Sequence, residues 1–150
     1  MSSLKAHVHT ACQLLLVDKI RELRSELDDL QEGAENDAKS SAGDKHETAR
    51  AMMQTEHARI GQLLSETIHQ KNTLDQLDPL QHASSVVPGS LIKTQRGWFY
   101  LSIPIGKTSV DDTLVTALSP LSPLGSQLMN KRTGETAEVN GTKYIIEEIQ

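Results

Sequence analysis

The chain has 150 residues, enough for one domain with an extension, and it carries a formal net charge of -5. This charge disfavours a basic nucleic-acid-binding domain, and an aromatic content of 3% disfavours a stacking platform for single-stranded nucleic acid. A single cysteine, Cys12, excludes an internal disulfide and a cysteine-based zinc site, and it is expected to serve packing.

Residues 1–80 hold all of the excess acid, with nine Lys and Arg against fourteen Asp and Glu, whereas residues 81–150 hold six of each. The longest apolar run near the N-terminus, Leu14-Leu15-Leu16-Val17, is too short for a signal-peptide core or a membrane span. We therefore expect a soluble, cytoplasmic protein without a membrane partner.

Two helical segments make up the N-terminal half. The first is predicted from Leu4 to about Asp37, and the second is predicted to end near Asp78-Pro79, because proline stops a helix. In both segments the inward positions follow the 4,3 spacing of a coiled-coil seam. The first seam comprises Leu16, Ile20, Leu23, Leu27 and Leu30, and the second comprises Ala49, Met53, Glu56, Ile60, Leu63, Thr67, Gln70, Leu74 and Leu77.

The small polar segment Ala38–Gly43 separates the two seams and predicts an antiparallel coiled-coil hairpin over residues 1–80. A helix of about 30 residues is roughly 45 Å long, so the hairpin forms an arm. A bundle formed with other chains is the alternative, because a two-helix hairpin buries little surface. A monomer fits the arm better.

An acidic segment, Gly43-Asp44-Lys45-His46-Glu47, marks the tip of the arm near residues 40–48. Asp44 and Glu47 are three residues apart on a helical turn, so their carboxylates can face one point and suit a hard cation such as Mg²⁺. Capping offers a structural explanation, in which Asp44 caps the second helix and Glu47 completes a capping box. His7, His9, His46, His57 and His69 are expected to be solvated helix residues.

Residues 84–150 predict a small β-rich domain with one short helix. Strands are expected at Leu91–Thr94 and Trp98–Ile103, and two more at Thr136–Val139 and Thr142–Ile149, around an Asn-Gly turn. Ser122-Pro123 predicts a capped helix start, with the helix running to about Asn130. The fold class is therefore α+β.

Two segments resemble motifs of the Gre family of bacterial transcription elongation factors. Gly43-Asp44-Lys45-His46-Glu47-Thr48-Ala49 is similar to the family's tip pattern G-D-x-x-E-N-A, and Ser122–Lys131 is similar to S-P-x-x-x-x-L-x-G-K. The resemblance implies a C-terminal domain of the FK506-binding-protein-like fold. It also implies binding to RNA polymerase at the secondary channel and stimulation of Mg²⁺-dependent cleavage of backtracked RNA.

By this resemblance, Asp44 and Glu47 match the tip acids that help to hold a Mg²⁺ ion shared with the polymerase and to orient a water molecule. No metal is expected to bind tightly to the isolated chain, and contact with the nascent RNA would be indirect. Ser122, Pro123 and Leu128 match the C-terminal motif, with a role in domain structure and polymerase binding. The chain would be an accessory factor to the polymerase's own cleavage activity, and not itself an enzyme.

Other functions remain open from the sequence. A Gre-like regulator would enter the secondary channel and tune or inhibit transcription without stimulating cleavage. A coiled-coil adaptor would dimerise through the hairpin. A peptidyl-prolyl isomerase is disfavoured, because its pocket needs several aromatic residues, and Trp98, Phe99 and Tyr100 alternate between the faces of one strand.

Overall fold

A computed structural model describes residues 3–40 and 44–150, and it describes side chains for residues 3–33 and 47–150. Two long helices, α1 (Leu4–Ser40) and α2 (Asp44–Asp75), precede a six-stranded sheet with one short helix, α3 (Pro123–Leu128). The α+β class is confirmed. Within the described residues, no helix has both the length and the apolar character needed to cross a bilayer.

The predicted coiled-coil seam is confirmed by burial. Leu16, Ile20 and Leu23 on α1 are buried, and the two remaining members of the first seam are half-buried. Every member of the second seam is buried or half-buried, including the polar Thr67, whose hydroxyl donates to the carbonyl oxygen of Leu63 at 2.7 Å. This hydrogen bond satisfies the buried Thr67 hydroxyl, so the seam tolerates the polar side chain.

Contacts between α1 and α2 fix the alignment of the two helices. A Cβ atom added at Gly33 on α1 would lie 3.6 Å from the Met53 methyl carbon on α2. Nearer the other end of the hairpin, the pKa of Arg59 on α2 is raised mainly by its hydrogen bond to Glu56 and in smaller part by the charge of Glu26 on α1. Residue numbers that fall along α1 thus meet residue numbers that rise along α2, which is the arrangement of an antiparallel hairpin.

The chain divides into two compact units. One comprises Leu15–Lys71, which is the larger part of the hairpin and is called the arm below. The other comprises Met1–Leu14 together with Asn72–Gln150, so the first turns of α1 belong to the same compact unit as the sheet. We call this second unit the sheet domain.

The six strands lie in the order β3-β4-β2-β1-β6-β5. All neighbouring pairs are antiparallel except β2 with β4, which run parallel because β3 intervenes in the sequence. The predicted strands are confirmed, with small differences at their ends, and β3 and β4 are additional. The strands are β1 (Leu91–Thr94), β2 (Gly97–Leu101), β3 (Gly106–Val110), β4 (Thr113–Leu118), β5 (Thr136–Val139) and β6 (Thr142–Ile149).

Three hairpins of the sheet turn through two residues each, and in two of them both turn residues have positive φ. Asn140 and Gly141 both have positive φ, 51° and 80°, and connect the paired residues Val139 and Thr142, as the sequence predicted. In the hairpin of β3 and β4 the same role falls to two aspartates, Asp111 and Asp112, with φ of 52° and 60°. Aspartate adopts this left-handed conformation more readily than most residues.

The sheet carries apolar side chains on both faces. On one face, Leu101, Ile92 and Ile146 join a core beneath α3, and Phe99 packs against it with its ring edge on Tyr144. Tyr100 points the other way, toward α1. Consecutive aromatic residues of β2 therefore serve opposite faces, as their alternation along a strand requires.

Candidate functional site

The acidic tip residues lie in the opening turn of α2. Asp44 is the first residue of the helix and Glu47 is the fourth, so the two are neighbours on the helix surface. The Glu47 side chain is exposed. Residues 41–43 and the side chains of Asp44 and His46 lie outside the described part of the structure, so the orientation of the acid pair stays a prediction.

Charges along the arm are unevenly paired. On α2, Arg59 donates two hydrogen bonds to the Glu56 carboxylate, which holds the pKa of that carboxyl below its usual range. The Arg59 side chain is 57% exposed and the half-buried Glu56 keeps 42% of its side chain in solvent, so such a pair contributes little to stability. On α1, acidic side chains outnumber basic ones, since residues 15–33 hold six Asp and Glu against three Lys and Arg. The arm's outgoing surface is therefore net acidic.

The Ser122-Pro123 motif forms the start of α3 as predicted. Ser122 is the N-cap, and its hydroxyl oxygen accepts a hydrogen bond from the Gly125 amide at 3.0 Å. The same hydroxyl donates to the Ser119 carbonyl oxygen at 2.6 Å. Pro123 takes the first helical position, where its missing N–H costs nothing. The motif therefore ties α3 to the loop before it.

Two backbone positions of this motif have strict requirements. A Cβ at Gly125 would lie 2.0 Å from the Ser119 carbonyl oxygen, so only glycine fits. After the helix, Asn130 has a φ of 65° and its amide donates to the Val86 carbonyl oxygen at 2.8 Å. Asparagine is, after glycine, a favoured residue for a left-handed position just beyond a helix.

The motif residues differ in accessibility. Leu128 is fully buried in the core between α3 and the sheet, Ser122 is half-buried, and Pro123 is exposed. Leu121 lies just before this motif, is 92% exposed, and was not predicted to be functional from the sequence. Its amide donates to the Ser119 hydroxyl oxygen at 3.0 Å, which holds the residue on a defined turn. Its position between two Ser-Pro pairs, in a segment where turns are expected, could have indicated an exposed apolar side chain.

Two of the histidines predicted to be solvated contact residues of the sheet and its turns instead. His9 is 5% exposed, and its Nδ1 lies 2.7 Å from the Tyr100 hydroxyl. His7 is half-buried and pairs with Asp111 in the turn between β3 and β4. The prediction was wrong for these residues, because the first turns of α1 pack against strands that lie about a hundred positions away in the sequence. His57 and His69 are exposed, as expected.

Burial shifts the acid–base behaviour of this contact. It raises the pKa of Tyr100 well above its usual range, so the phenol stays protonated in its hydrogen bond with Nδ1 of His9. It also lowers the pKa of His9, against the opposing charges of Asp75 and Asp78. Cys12 is fully buried, and burial raises the pKa of its thiol to about 11. The thiol is therefore inert at neutral pH and serves packing, as predicted.

Lys5 is a further buried charge in the same unit. It is 5% exposed, and its ammonium donates to the Gln81 carbonyl oxygen at 2.6 Å. Burial lowers the pKa of this ammonium, while the nearby Asp78 carboxylate opposes the shift. The first two turns of α1 are thus held by polar contacts as well as by the apolar Val8 and Cys12.

The likeness of this chain to known proteins lies at the level of structure. No family model matches the chain, and no curated protein matches it. Among solved structures, the chain is similar to the crystal structure of GreA factor homolog 1 (Gfh1) protein of Thermus thermophilus. The two are 14% identical, the match covers 92% of this chain and 94% of that chain, and the TM-score is 0.35.

Proposed function

We propose that the chain binds bacterial RNA polymerase at its secondary channel and stimulates Mg²⁺-dependent cleavage of the 3′ end of backtracked RNA. The observation that carries the proposal is the position of Asp44 and Glu47 in the opening turn of α2, where a long antiparallel hairpin reverses direction. Carboxylates at the end of an arm can be delivered into the active centre of another protein. The chain would then be an accessory factor and not an enzyme.

Asp44 and Glu47 would supply oxygen ligands to a Mg²⁺ ion shared with the polymerase and would orient the attacking water. A second metal ion in such a site stabilises the attacking and leaving oxygens of a phosphoryl displacement. Two carboxylates alone are too few ligands for tight binding, because Mg²⁺ keeps an octahedral shell and shares ligands with its substrate. The proposed site is therefore complete only within the polymerase.

The sheet domain would dock on the polymerase and hold the arm in place. We propose an FK506-binding-protein-like fold for it, in keeping with its mixed sheet and short helix. Pro123 and Leu121 are exposed beside the cap of α3 and offer contact surface, while Leu128 and Ser122 support that surface from beneath. An exposed leucine on a turn held by hydrogen bonds loses little freedom on binding, which favours affinity.

A regulator that binds without stimulating cleavage is the second candidate. The acidic outgoing surface of the arm favours it, since six acids against three bases over residues 15–33 would repel the phosphates of a transcript. Such a regulator would occupy the channel and change transcription while leaving backtracked RNA intact. The acid pair would then serve to cap and orient α2.

RNA cleavage in a stalled, backtracked polymerase complex distinguishes the two candidates. The wild type should release a 3′ fragment, and the double variant Asp44→Ala/Glu47→Ala should not, while it competes normally with the wild type for the polymerase. A matched control removes two other exposed acids of the arm, Asp29→Ala/Glu66→Ala, and should cleave as the wild type does.

Cleavage by the tip variant at the wild-type rate would refute the assigned role of Asp44 and Glu47. Binding without cleavage by the wild type would establish the regulator instead. Absence of binding by the wild type would refute both candidates. Circular dichroism of each variant establishes that the helices are intact before the activities are compared.

A further inference from the structure

The arm carries a groove that the acid pair does not use. It lies between α1 and α2, has a volume of about 610 Å³, and is open to solvent. Three apolar side chains and three cationic side chains contribute to its lining, and we call it the basic groove. The apolar residues are Val17, Ile20 and Ile68, and the cationic residues are Arg21, Arg24 and Lys71.

The polar and apolar residues of the basic groove are arranged in layers. Ile20 is buried and Val17 and Ile68 are half-buried, so these side chains form the floor. Arg21 and Arg24 are exposed and stand at the rim. Asp28 also lines the groove and is the carboxylate at its edge. A ligand that fits must therefore offer an apolar strip flanked mainly by negative charge.

Charge is concentrated here against the trend of the arm. Over the described side chains of the arm, residues 15–33 and 47–71, there are six Lys and Arg against nine Asp and Glu. Three of those six cations line the basic groove, with a single carboxylate. The groove is thus a local positive patch on a negative arm, and charge complementarity selects an acidic partner.

The acidic partner is better matched by protein than by nucleic acid. None of the described residues that line the basic groove is aromatic, so a base would find no ring on which to stack. The net negative charge of the surrounding arm opposes a long polyanion. Apolar side chains on the floor contribute little to a sugar-phosphate backbone, whereas they pack well against the apolar stripe of a helix.

We propose that the basic groove receives an acidic amphipathic helix of RNA polymerase. The helix would lie between α1 and α2 and complete a three-helix bundle, with its apolar stripe on Val17, Ile20 and Ile68. Its acidic side chains would pair with Arg24 and lie within the positive field of Arg21, which also contacts Asp18, and of Lys71. Asp28 would select a cationic residue near one end. Val17 to Asp28 spans roughly 16 Å of α1, so the partner segment would be about three turns long.

This inference rests on the proposed function, because the polymerase is the partner. The decisive experiment measures the Kd of the full chain for core polymerase by biolayer interferometry, with Arg24→Glu as the variant. Arg24 is chosen over Arg21 because Arg21 already pairs with Asp18 on its own helix, at 3.4 Å. Lys19→Glu is the matched control, since it makes the same charge change at an exposed arm position outside the groove.

We expect Arg24→Glu to raise the Kd about tenfold, equivalent to about 1.4 kcal/mol, and Lys19→Glu to leave it near the wild-type value. The wild type should also lose affinity with added salt more steeply than Arg24→Glu does. Wild-type binding that both variants retain equally would overturn this inference and leave the proposed function intact. Absence of wild-type binding would overturn both.

Nucleic acid is tested in parallel with an unstructured RNA oligonucleotide in place of the polymerase. The inference expects no binding that depends on Arg24. Binding of this RNA by the wild type and its loss in Arg24→Glu would make the groove an RNA site and overturn the assignment to a protein helix.

Discussion

The imidazole Nδ1 of His9 lies 2.7 Å from the phenolic oxygen of Tyr100, 91 residues away in the sequence, and both side chains are buried. The rings meet edge to face, with an interplanar angle of 80°. Burial disfavours the charged imidazole and lowers the pKa of His9, so the contact joins a neutral imidazole to a neutral phenol. The contact therefore makes the packing of α1 on β2 sensitive to the protonation of one histidine.

Acid should weaken the sheet domain through His9. Burial lowers the pKa of His9 from its usual 6.5, so the folded state binds this proton less readily than the unfolded state does. The contribution is fully present above pH 6.5 and is lost as the pH falls through the usual value toward the lower folded one. Urea midpoints measured at a series of pH values should fall across this window.

The matched variant for this prediction is His9→Gln, whose amide can donate to or accept from the Tyr100 hydroxyl but does not titrate. Asp75, Asp78 and Lys5 also act on His9 and remain in the variant, so their own titration is common to both proteins. As the pH falls below 6.5, the wild type should lose free energy of unfolding relative to His9→Gln, and above 6.5 the difference between the two should be constant. A pH-independent difference would exclude His9 as the titrating group.

Gly125→Ala should destabilise the sheet domain by about 3 kcal/mol, at the upper end of the cost of overpacking. The new Cβ would lie 2.0 Å from the Ser119 carbonyl oxygen, which is backbone and cannot move aside cheaply. Gly61→Ala is the control, because nothing lies within 4 Å of its added Cβ in the interior of α2. That change should stabilise the chain by about 1 kcal/mol through helix propensity. Thermal unfolding measures both variants, and equal shifts of their midpoints would contradict the steric cost assigned to Gly125→Ala.

Gln95→Ala should lower the free energy of unfolding by about 1–2 kcal/mol. The Gln95 side chain accepts from the Ile145 amide at 2.7 Å and donates to the Lys143 carbonyl oxygen at 2.8 Å, as a strand backbone would. It extends the pairing of β1 with β6 beyond the register shift at Lys93 and Thr94. Gln127→Ala, at an exposed position of α3, is the control in urea denaturation. Equal midpoints for the two variants would remove this role from Gln95.

Leu121→Asp should weaken binding to RNA polymerase about tenfold or more, as expected for truncation of an anchoring side chain, without changing thermal stability. The residue is 92% exposed, so the folded chain loses no packing when it is replaced. Leu114→Asp provides the comparison, since Leu114 is also exposed, at 57%, but lies on β4 away from the α3 cap. Competition binding would count against a docking role for Leu121 if both variants bound equally well.

The elements with strong local signals were predicted well. The 4,3 spacing located the seam of the hairpin, although α1 extends to Ser40 rather than Asp37, and α2 ends at Asp75 rather than near Asp78. Asn140-Gly141 located the hairpin of β5 and β6, because few other dipeptides accept two positive φ values. Helix ends are set by only a few hydrogen bonds, which explains the small errors.

Strands β3 and β4 were missed for a physical reason. Strand β3, Gly106–Val110, buries only Val110, so its apolar alternation is weak. Its turn uses Asp111-Asp112, which is less distinctive than Asn-Gly. The strand is stabilised by its pairing with β4 and not by a local preference. The spacing of apolar residues along the sequence does not reveal such pairing.

The candidate site was predicted in part. Ser122 as the cap of α3 followed from local sequence, and the structure confirms it. The burial of His9 and Lys5 was not predictable from α1 alone, because it depends on strand β2 and the segment around Gln81. The exposure of the Leu121 side chain depends on whether other parts of the fold cover it, and that too is a tertiary property.

The two end strands of the sheet are β3 and β5, of five and four residues. Each carries an exposed charged side chain, Lys107 on β3 and Glu138 on β5. A short edge with a charge in its middle is a poor template for a strand from another molecule, because pairing would bury that charge against a few hydrogen bonds. Fibril-like growth from either edge of this sheet is thereby discouraged.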